Sequence, residues 1–92
     1  SKFGLSVTEL TASLRREYSI PDTVDGVMIT KVKKRSMADR FRLSPGQVIV
    51  TINDRAILSK KAYHKALARK QALMMTIFES GYEFSIVIPT RK

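Results

Sequence analysis

The segment from residue 47 to 52, Gln-Val-Ile-Val-Thr-Ile, constrains the fold of this chain most strongly. It is almost wholly apolar and rich in β-branched residues, which is typical of a strand buried on both faces. Pro45-Gly46 precedes it and Asn53-Asp54 follows it, and both pairs favour turns. The segment therefore predicts the central strand of a sheet. A chain of 92 residues is long enough for one small domain with its own core.

The rest of the chain alternates between short strand and helix patterns. Further strands are predicted over residues 5–10, 27–32, 73–79 and 82–88, and a tight turn at Ser80-Gly81 joins the last two. Helices are predicted after Thr11, after Ser36 and, over about residues 60–71, after Ser59, because these hydroxyl residues suit helix N-termini. The predicted order is β-α-β-α-β-α-β-β. We expect a single domain over residues 1–92, with its core between about residues 3 and 89.

The charge is concentrated in one part of the chain. The sequence has 17 Lys and Arg residues against 8 Asp and Glu residues, for a net charge of +9. Twelve of the 17 basic residues lie between residues 31 and 70, together with two acidic residues, Asp39 and Asp54. Such a stretch favours an anionic neighbour, whether nucleic acid, lipid headgroup or acidic protein. The simpler interpretation is a solvated face that keeps a small domain soluble.

The composition excludes most catalytic chemistry. The chain has no cysteine and a single histidine, His64, which removes thiolate chemistry, disulfides and multi-histidine metal sites. The four glycines are far apart, so no phosphate-binding glycine loop is present. No serine stands in a nucleophile-elbow pattern, and Ser59 is better explained as a helix cap. We therefore predict no catalytic residue, no metal and no cofactor.

Three segments suggest a binding site instead. Phe3-Gly4-Leu5 places a glycine between two large apolar residues directly before a strand. Glycine permits a backbone turn whose N–H groups point one way, and such a nest binds a peptide's terminal carboxylate. The strand that follows offers an edge for an added strand. Lys60, His64 and Leu67 share one face of the longest helix.

These segments resemble a PDZ domain, in particular the bacterial, circularly permuted form found in HtrA/Deg-type serine proteases. Phe3 to Val7 stands where that family has its carboxylate loop, and residues 25–32 are similar to the strand after its first helix. The most specific match is residues 43–53, which resemble the family's G-L-x-x-G-D-V-I-x-x-(V/I)-N-G run. This chain departs from the run at Arg42 and Asp54, where glycine is usual, and at Gln47, where aspartate is usual.

The resemblance implies an α+β fold, a small, partly open β-barrel or sandwich of five to six strands with two to three helices. In that family a C-terminal or extended peptide adds as a strand beside the first strand, next to the long helix. Carried over, the amides of Phe3, Gly4 and Leu5 would hold the terminal carboxylate. Ser6, Val7 and Thr8 of the strand and Lys60, His64 and Leu67 of the helix would form the groove.

Two of these assignments have simpler alternatives. Phe3 and Leu5 also fit plain core residues, since apolar residues that flank a strand are usually buried. His64 also fits a solvent-facing helix residue without a role.

The resemblance further implies the partners. We expect C-terminal or unfolded polypeptide segments with an apolar last residue, and other domains of a parent serine protease, in a homo-oligomer or alone. The domain would be cut from that longer protease, act in protein quality control without catalysing hydrolysis, and belong to an extracytoplasmic protein, in the periplasm or at a membrane.

The competing hypothesis is a basic domain that binds nucleic acid or an anionic lipid surface through residues 31–70. Nucleic acid is disfavoured because the only aromatic residues of that stretch, Phe41 and Tyr63, have the spacing of core residues.

Overall fold

The structure is a computed structural model that describes residues 3–69 and 71–89. The strands are β1 Leu5–Glu9, β2 Val27–Val32, β3 Val48–Ile52, β4 Arg55–Ala56, β5 Leu73–Glu79 and β6 Tyr82–Ile88, and the helices are α1 Ala12–Glu17, α2 Met37–Arg40 and α3 Lys60–Ala68. Lys70, a member of the predicted basic stretch and long helix, lies outside the described residues. None of the helices described is long and apolar enough to cross a membrane.

The six strands form one antiparallel sheet in the order β1-β2-β3-β5-β6, with β4 paired to β3. The sheet does not close, because β1 and β6 lie at opposite edges of this path. This arrangement confirms the predicted α+β fold of five to six strands with two to three helices. The central strand is also confirmed, since β3 lies between β2 and β5 and its Val48 and Ile49 are fully buried.

Both faces of the sheet bury apolar side chains. The larger cluster contains Ile29, Ile49 and Met75 of the inner strands together with Tyr63 of α3. The smaller cluster, on the other side, contains Met28, Val48 and Phe78, with Leu14 of α1 packed against it. The alternation of neighbours such as Met28 and Ile29 between the two clusters follows from the two-residue period of a strand. It explains why the inner strands are apolar almost throughout.

The side chain of Arg15 connects α1 to the loop that follows it. Its guanidinium donates to the carbonyl oxygens of Pro21 and Val24, at 2.9 and 2.8 Å, and pairs with the carboxylate of Asp25. α1 is therefore held over the smaller cluster by polar contacts as well as by Leu14.

The predicted helix caps are confirmed. The hydroxyl oxygens of Thr11, Ser36 and Ser59 accept hydrogen bonds from the backbone N–H groups three residues further on, at 3.1, 3.2 and 3.0 Å. At α2 the carboxylate of Asp39 also accepts a hydrogen bond from the N–H of Arg35, at 2.9 Å. In the usual capping box this carboxylate accepts from the N-cap residue itself, whereas here it accepts from the residue before the N-cap.

Two element predictions differ from the structure. β4 was not predicted, and it arises because Asn53 and Asp54 both have positive φ angles, 52° and 66°, and so form a two-residue hairpin turn with β3. α3 ends at Ala68 rather than at about residue 71, because the backbone of Arg69 is extended, with φ −74° and ψ 134°.

Arg42 and Gln47 replace residues that are usual in PDZ domains, glycine and aspartate, but both maintain the local structure. Arg42 has φ 62°, and so adopts the left-handed conformation that glycine usually provides. Gln47 is buried, accepts a hydrogen bond from the N–H of Ser44 at 3.0 Å, and donates one to the carboxylate of Glu79 at 3.1 Å. A neutral amide can donate to that carboxylate, which an ionised aspartate could not do.

Candidate functional site

The loop before β1 turns its carbonyl groups inward. The Phe3 carbonyl accepts from the N–H of Ala38 at 3.1 Å, and the Gly4 carbonyl accepts from the N–H of Lys33 at 2.8 Å. The C=O and N–H of a trans peptide unit point in opposite directions, so the N–H groups of Gly4 and Leu5 point away from α2 and β2. These hydrogen bonds leave two neighbouring amides directed away from the elements that hold the loop, and an anion nest is built from neighbouring amides of this kind. The Phe3 amide shares a peptide unit with Lys2, outside the described residues, so its role stays a prediction.

Gly4 is required at this position for two reasons. Its φ is 97°, which side chains other than glycine rarely adopt. A Cβ atom on Gly4 would lie 2.2 Å from both Cβ and Oγ of Ser36. Ser36 is itself fixed, because its hydroxyl donates to the Lys33 carbonyl at 2.6 Å and caps α2. The geometry of the loop therefore depends on the residue at position 4 having no side chain.

β1 presents one edge to β2 and leaves the other open. Within the described residues it pairs only with β2, around an irregularity between Ser6 and Val7 at which the Thr30 hydroxyl donates to the Ser6 carbonyl at 3.1 Å. Gly4 and Ser6 thus direct their carbonyls toward β2. Because the main-chain groups of a strand alternate in direction, those of Leu5 and Val7 point to the open edge.

α3 lies next to this open edge. The N–H of Lys60 donates to Oε2 of Glu9 at 3.3 Å, which brings the first turn of the helix to the end of β1. Further along, Leu67 is half-buried against the larger cluster, which also contains Leu5 and Val7. The space between β1 and α3 is therefore bounded by a strand edge on one side and a helix on the other.

The structure separates the predicted site residues into two sets. The inner set comprises Phe3, Leu5 and Val7, which are buried, with 4, 4 and 7% of their surface exposed. These side chains supply an apolar floor and also belong to the hydrophobic core. Burial in the core is what the simpler interpretation of Phe3 and Leu5 predicted. The outer set comprises the exposed Ser6, Lys60 and His64 and the half-buried Thr8 and Leu67. The His64 ring contacts Tyr63 edge-on, with ring centroids 5.3 Å apart. Peptide binding by either set stays a prediction.

Two lysines near the loop were not predicted as site residues. Lys31 and Lys33 line, with Gly4, Leu5 and Ser6, a cavity of about 400 Å³. In the sequence they are recognisable only as members of the basic stretch, since the register that pairs Lys31 with Ser6 is not visible there. Their charges favour a carboxylate at the loop. No group of three His, Asp or Glu side chains that could hold a metal ion occurs within residues 3–69 and 71–89.

Comparison with known proteins identifies the fold. No protein-family model and no curated protein matches the sequence. Many solved structures are similar to the chain, and two of them are described here. The HtrA3 PDZ domain bound to a phage-derived ligand (FGRWV) superposes with a TM-score of 0.82 at 19% identity, over 97% of this chain and 83% of that one. The HtrA-type protease AlgW with a decapeptide has a TM-score of 0.76 at 22% identity, and the match covers 98% of this chain and 29% of AlgW. The chain therefore has the fold of a PDZ domain of the kind found in HtrA-type proteases, as the resemblance predicted.

Proposed function

We propose that this domain is a peptide-binding PDZ module that captures the C-terminal or extended segments of other polypeptides by β-strand addition. The observation that carries the proposal is the inward hydrogen bonding of the Phe3 and Gly4 carbonyls, which turns the Gly4 and Leu5 amides toward the open edge of β1. The peptide's terminal carboxylate would accept from these amides. Its backbone would pair with Leu5 and Val7.

The two similar structures support the binding of peptide segments. One is a PDZ domain bound to a five-residue ligand that ends in valine, and the other is an HtrA-type protease with a decapeptide. In this chain the buried side chains of Leu5 and Val7 and the half-buried Leu67 provide an apolar surface for the last side chain. We therefore propose ligands with an apolar C-terminal residue, whose burial contributes about 1.5–3 kcal/mol.

We further propose that the domain serves substrate recognition, regulation or assembly in a longer HtrA-like serine protease of an extracytoplasmic compartment, and that the domain itself is not catalytic. The chain matches less than a third of the length of AlgW, which is consistent with a module of a larger protein.

An NMR titration tests the proposal. The peptide FGRWV with a free carboxylate should shift the amide signals of residues 3–8 and 60–68, and the same peptide with an amidated C-terminus should shift them much less. A titration that moves only signals outside these two segments would show that the groove between β1 and α3 is not the site.

The anionic-ligand alternative receives less support. Tyr63 is fully buried and Phe41 is half-buried against the core, so neither offers a ring for base stacking. A gel-shift or liposome assay at two salt concentrations tests the alternative directly, because such binding weakens steeply with salt.

A further inference from the structure

The outer face of β1 and β2, opposite the hydrophobic core, carries two lysines close to the proposed groove. Leu5 of β1 belongs to the larger cluster, and Val32 of β2, directly opposite Leu5, packs against it. Their neighbours Ser6 and Lys31 are also opposite each other. Because side chains alternate along a strand, this pair lies on the other face of the sheet, where both residues are exposed. Lys33 follows at the end of β2 and lines the same cavity of about 400 Å³ as Lys31.

The charges around this cavity are all positive. The residues that line it include Lys31 and Lys33 but no aspartate or glutamate. Within residues 3–69 and 71–89, neither lysine forms an ion pair. Ser6, which lies between Lys31 and the open edge of β1, has a short side chain that leaves the way to that edge clear. The two ammonium groups therefore attract an anionic group that reaches this face from the open edge.

The register of a bound peptide follows from the position of the carboxylate loop, so the inference rests on the proposed function. The loop precedes β1, and a peptide whose terminal carboxylate lies there runs antiparallel to β1. Its last residue pairs with Leu5, because the Leu5 carbonyl can accept the N–H of that residue and the Leu5 N–H can donate to its carboxylate. The penultimate residue is then opposite Ser6. Opposite residues of an antiparallel pair share a face, so the penultimate side chain lies on the face of Lys31.

We propose that Lys31 selects peptides with an acidic penultimate residue, glutamate above all. In this register the Cα atoms of the penultimate residue and of Lys31 are about 10 Å apart, the sum of one non-hydrogen-bonded and one hydrogen-bonded cross-strand distance. The long flexible stem of lysine and the glutamate side chain together span this distance over Ser6. Aspartate is one methylene shorter and reaches less far. The apolar last residue then provides affinity, and Lys31 discriminates among peptides that share it.

A role limited to the terminal carboxylate fits Lys33 better than Lys31. The N–H of Lys33 donates to the Gly4 carbonyl at 2.8 Å, so Lys33 lies beside the loop itself. Lys31 lies further along β1, opposite Ser6. Peptides with the same terminus and different penultimate residues therefore separate the effect of Lys31 from a general attraction for carboxylates.

The test compares FGRWV with the peptides FGREV, FGRQV and FGRKV by fluorescence polarisation at low salt. FGREV should bind about threefold tighter than the neutral FGRQV, and FGRKV about threefold weaker, since exposed charge pairs contribute modestly. Lys31→Gln should remove most of the preference for FGREV over FGRQV. Lys61→Gln is the matched control. Lys61 is exposed in the first turn of α3, which lies at the other end of β1, and its loss changes the net charge equally.

The outcomes separate this inference from the proposed function. Equal affinities of FGREV, FGRQV and FGRKV would overturn the role of Lys31 and leave the groove between β1 and α3 intact. An equal loss of the glutamate preference in Lys31→Gln and Lys61→Gln would reduce the effect to net charge. FGRQV should bind both variants within about twofold of the original chain, which shows that the groove is preserved in each. If none of the four peptides binds, the proposed function fails and the role of Lys31 fails with it.

Discussion

The two edges of the sheet, β1 and β6, differ in what surrounds them. β6 is the longer strand and exposes large side chains, with Tyr82 at 75% and Val87 at 61%. It begins at the two-residue turn Ser80-Gly81. β1 is shorter, but a loop with outward amides precedes it and α3 lies beside its open side. Within residues 3–69 and 71–89 both strands have an unpaired edge, so the loop and the helix are what distinguish the proposed peptide site from an ordinary edge.

The largest effect is expected at the loop of β1. Gly4→Ala should destabilise the domain by about 2–4 kcal/mol, because the new methyl group collides with Ser36 and the positive φ becomes strained. It should also abolish binding of FGRWV. Gly81→Ala is the control at the start of β6. Its φ is 88° but no atom lies within 4 Å of the added Cβ, so only the conformational cost of about 1 kcal/mol applies.

Urea unfolding gives both stabilities, and titration calorimetry at a temperature where each variant is folded gives the affinities. If the two alanine variants lose equal stability, the packing of Gly4 against Ser36 contributes nothing and the two turns are equivalent.

The peptide's own terminus should have the next largest effect. Replacing the free carboxylate of FGRWV by an amide removes charge-assisted hydrogen bonds to Gly4 and Leu5, at a cost of about 1.5–3 kcal/mol in binding free energy. That corresponds to an affinity roughly tenfold to hundredfold lower, measurable by fluorescence polarisation. Equal affinities of the two peptides would mean that the loop amides do not bind the carboxylate, and that β1 offers only an unpaired strand edge, as β6 does.

The helix beside β1 should have a smaller effect. Leu67→Ala removes part of the apolar surface of the groove and should weaken FGRWV binding by about 1 kcal/mol, or about fivefold. Leu58→Ala is the matched control, because Leu58 is 62% exposed and is not among the predicted groove residues. Equal losses in these two variants would show that Leu67 has no specific contact with the ligand.

The smallest effect is expected at β6. Tyr82→Lys replaces an exposed side chain on the edge strand and should change the unfolding free energy by no more than about 0.5 kcal/mol. FGRWV affinity should stay the same, because β6 has neither the loop nor the helix. A clear loss of affinity in this variant would show that the peptide binds at β6, and our assignment of the peptide to β1 would then be wrong.

Much of the local structure could be predicted because local rules govern it. The bounds of β2, β5 and β6 agree with the predicted strands 27–32, 73–79 and 82–88, and the hydroxyls of Thr11, Ser36 and Ser59 begin the helices as expected. The C-terminal end of α3 was not predictable, since basic residues at its end are compatible with a further helical turn. β4 was not predicted because a strand of two residues is too short to show a periodic pattern of apolar residues.

The candidate site was predicted in part. The alternation of Leu5, Val7 and their neighbours indicated which residues belong to one face, and the position of Gly4 indicated a turn. Whether the amides point outward depends on the partners of the Phe3 and Gly4 carbonyls, which are Ala38 and Lys33, about 30 residues away in sequence. A cavity of about 430 Å³ between α3 and the hairpin of β3 and β4 was not predicted at all, because the residues that line it, such as Arg55 and Lys65, come from separate elements.

The sequence by itself determined all the elements except β4, their inward and outward faces and the resemblance to PDZ domains, because periodicity, capping and turn preferences act over a few residues. The tertiary structure decided which strand edge stays open, which amides face it and which basic residues meet around a cavity. Those properties depend on strand order, on register and on contacts such as Gly4 against Ser36. They join residues that are distant in the chain, and no local pattern encodes them.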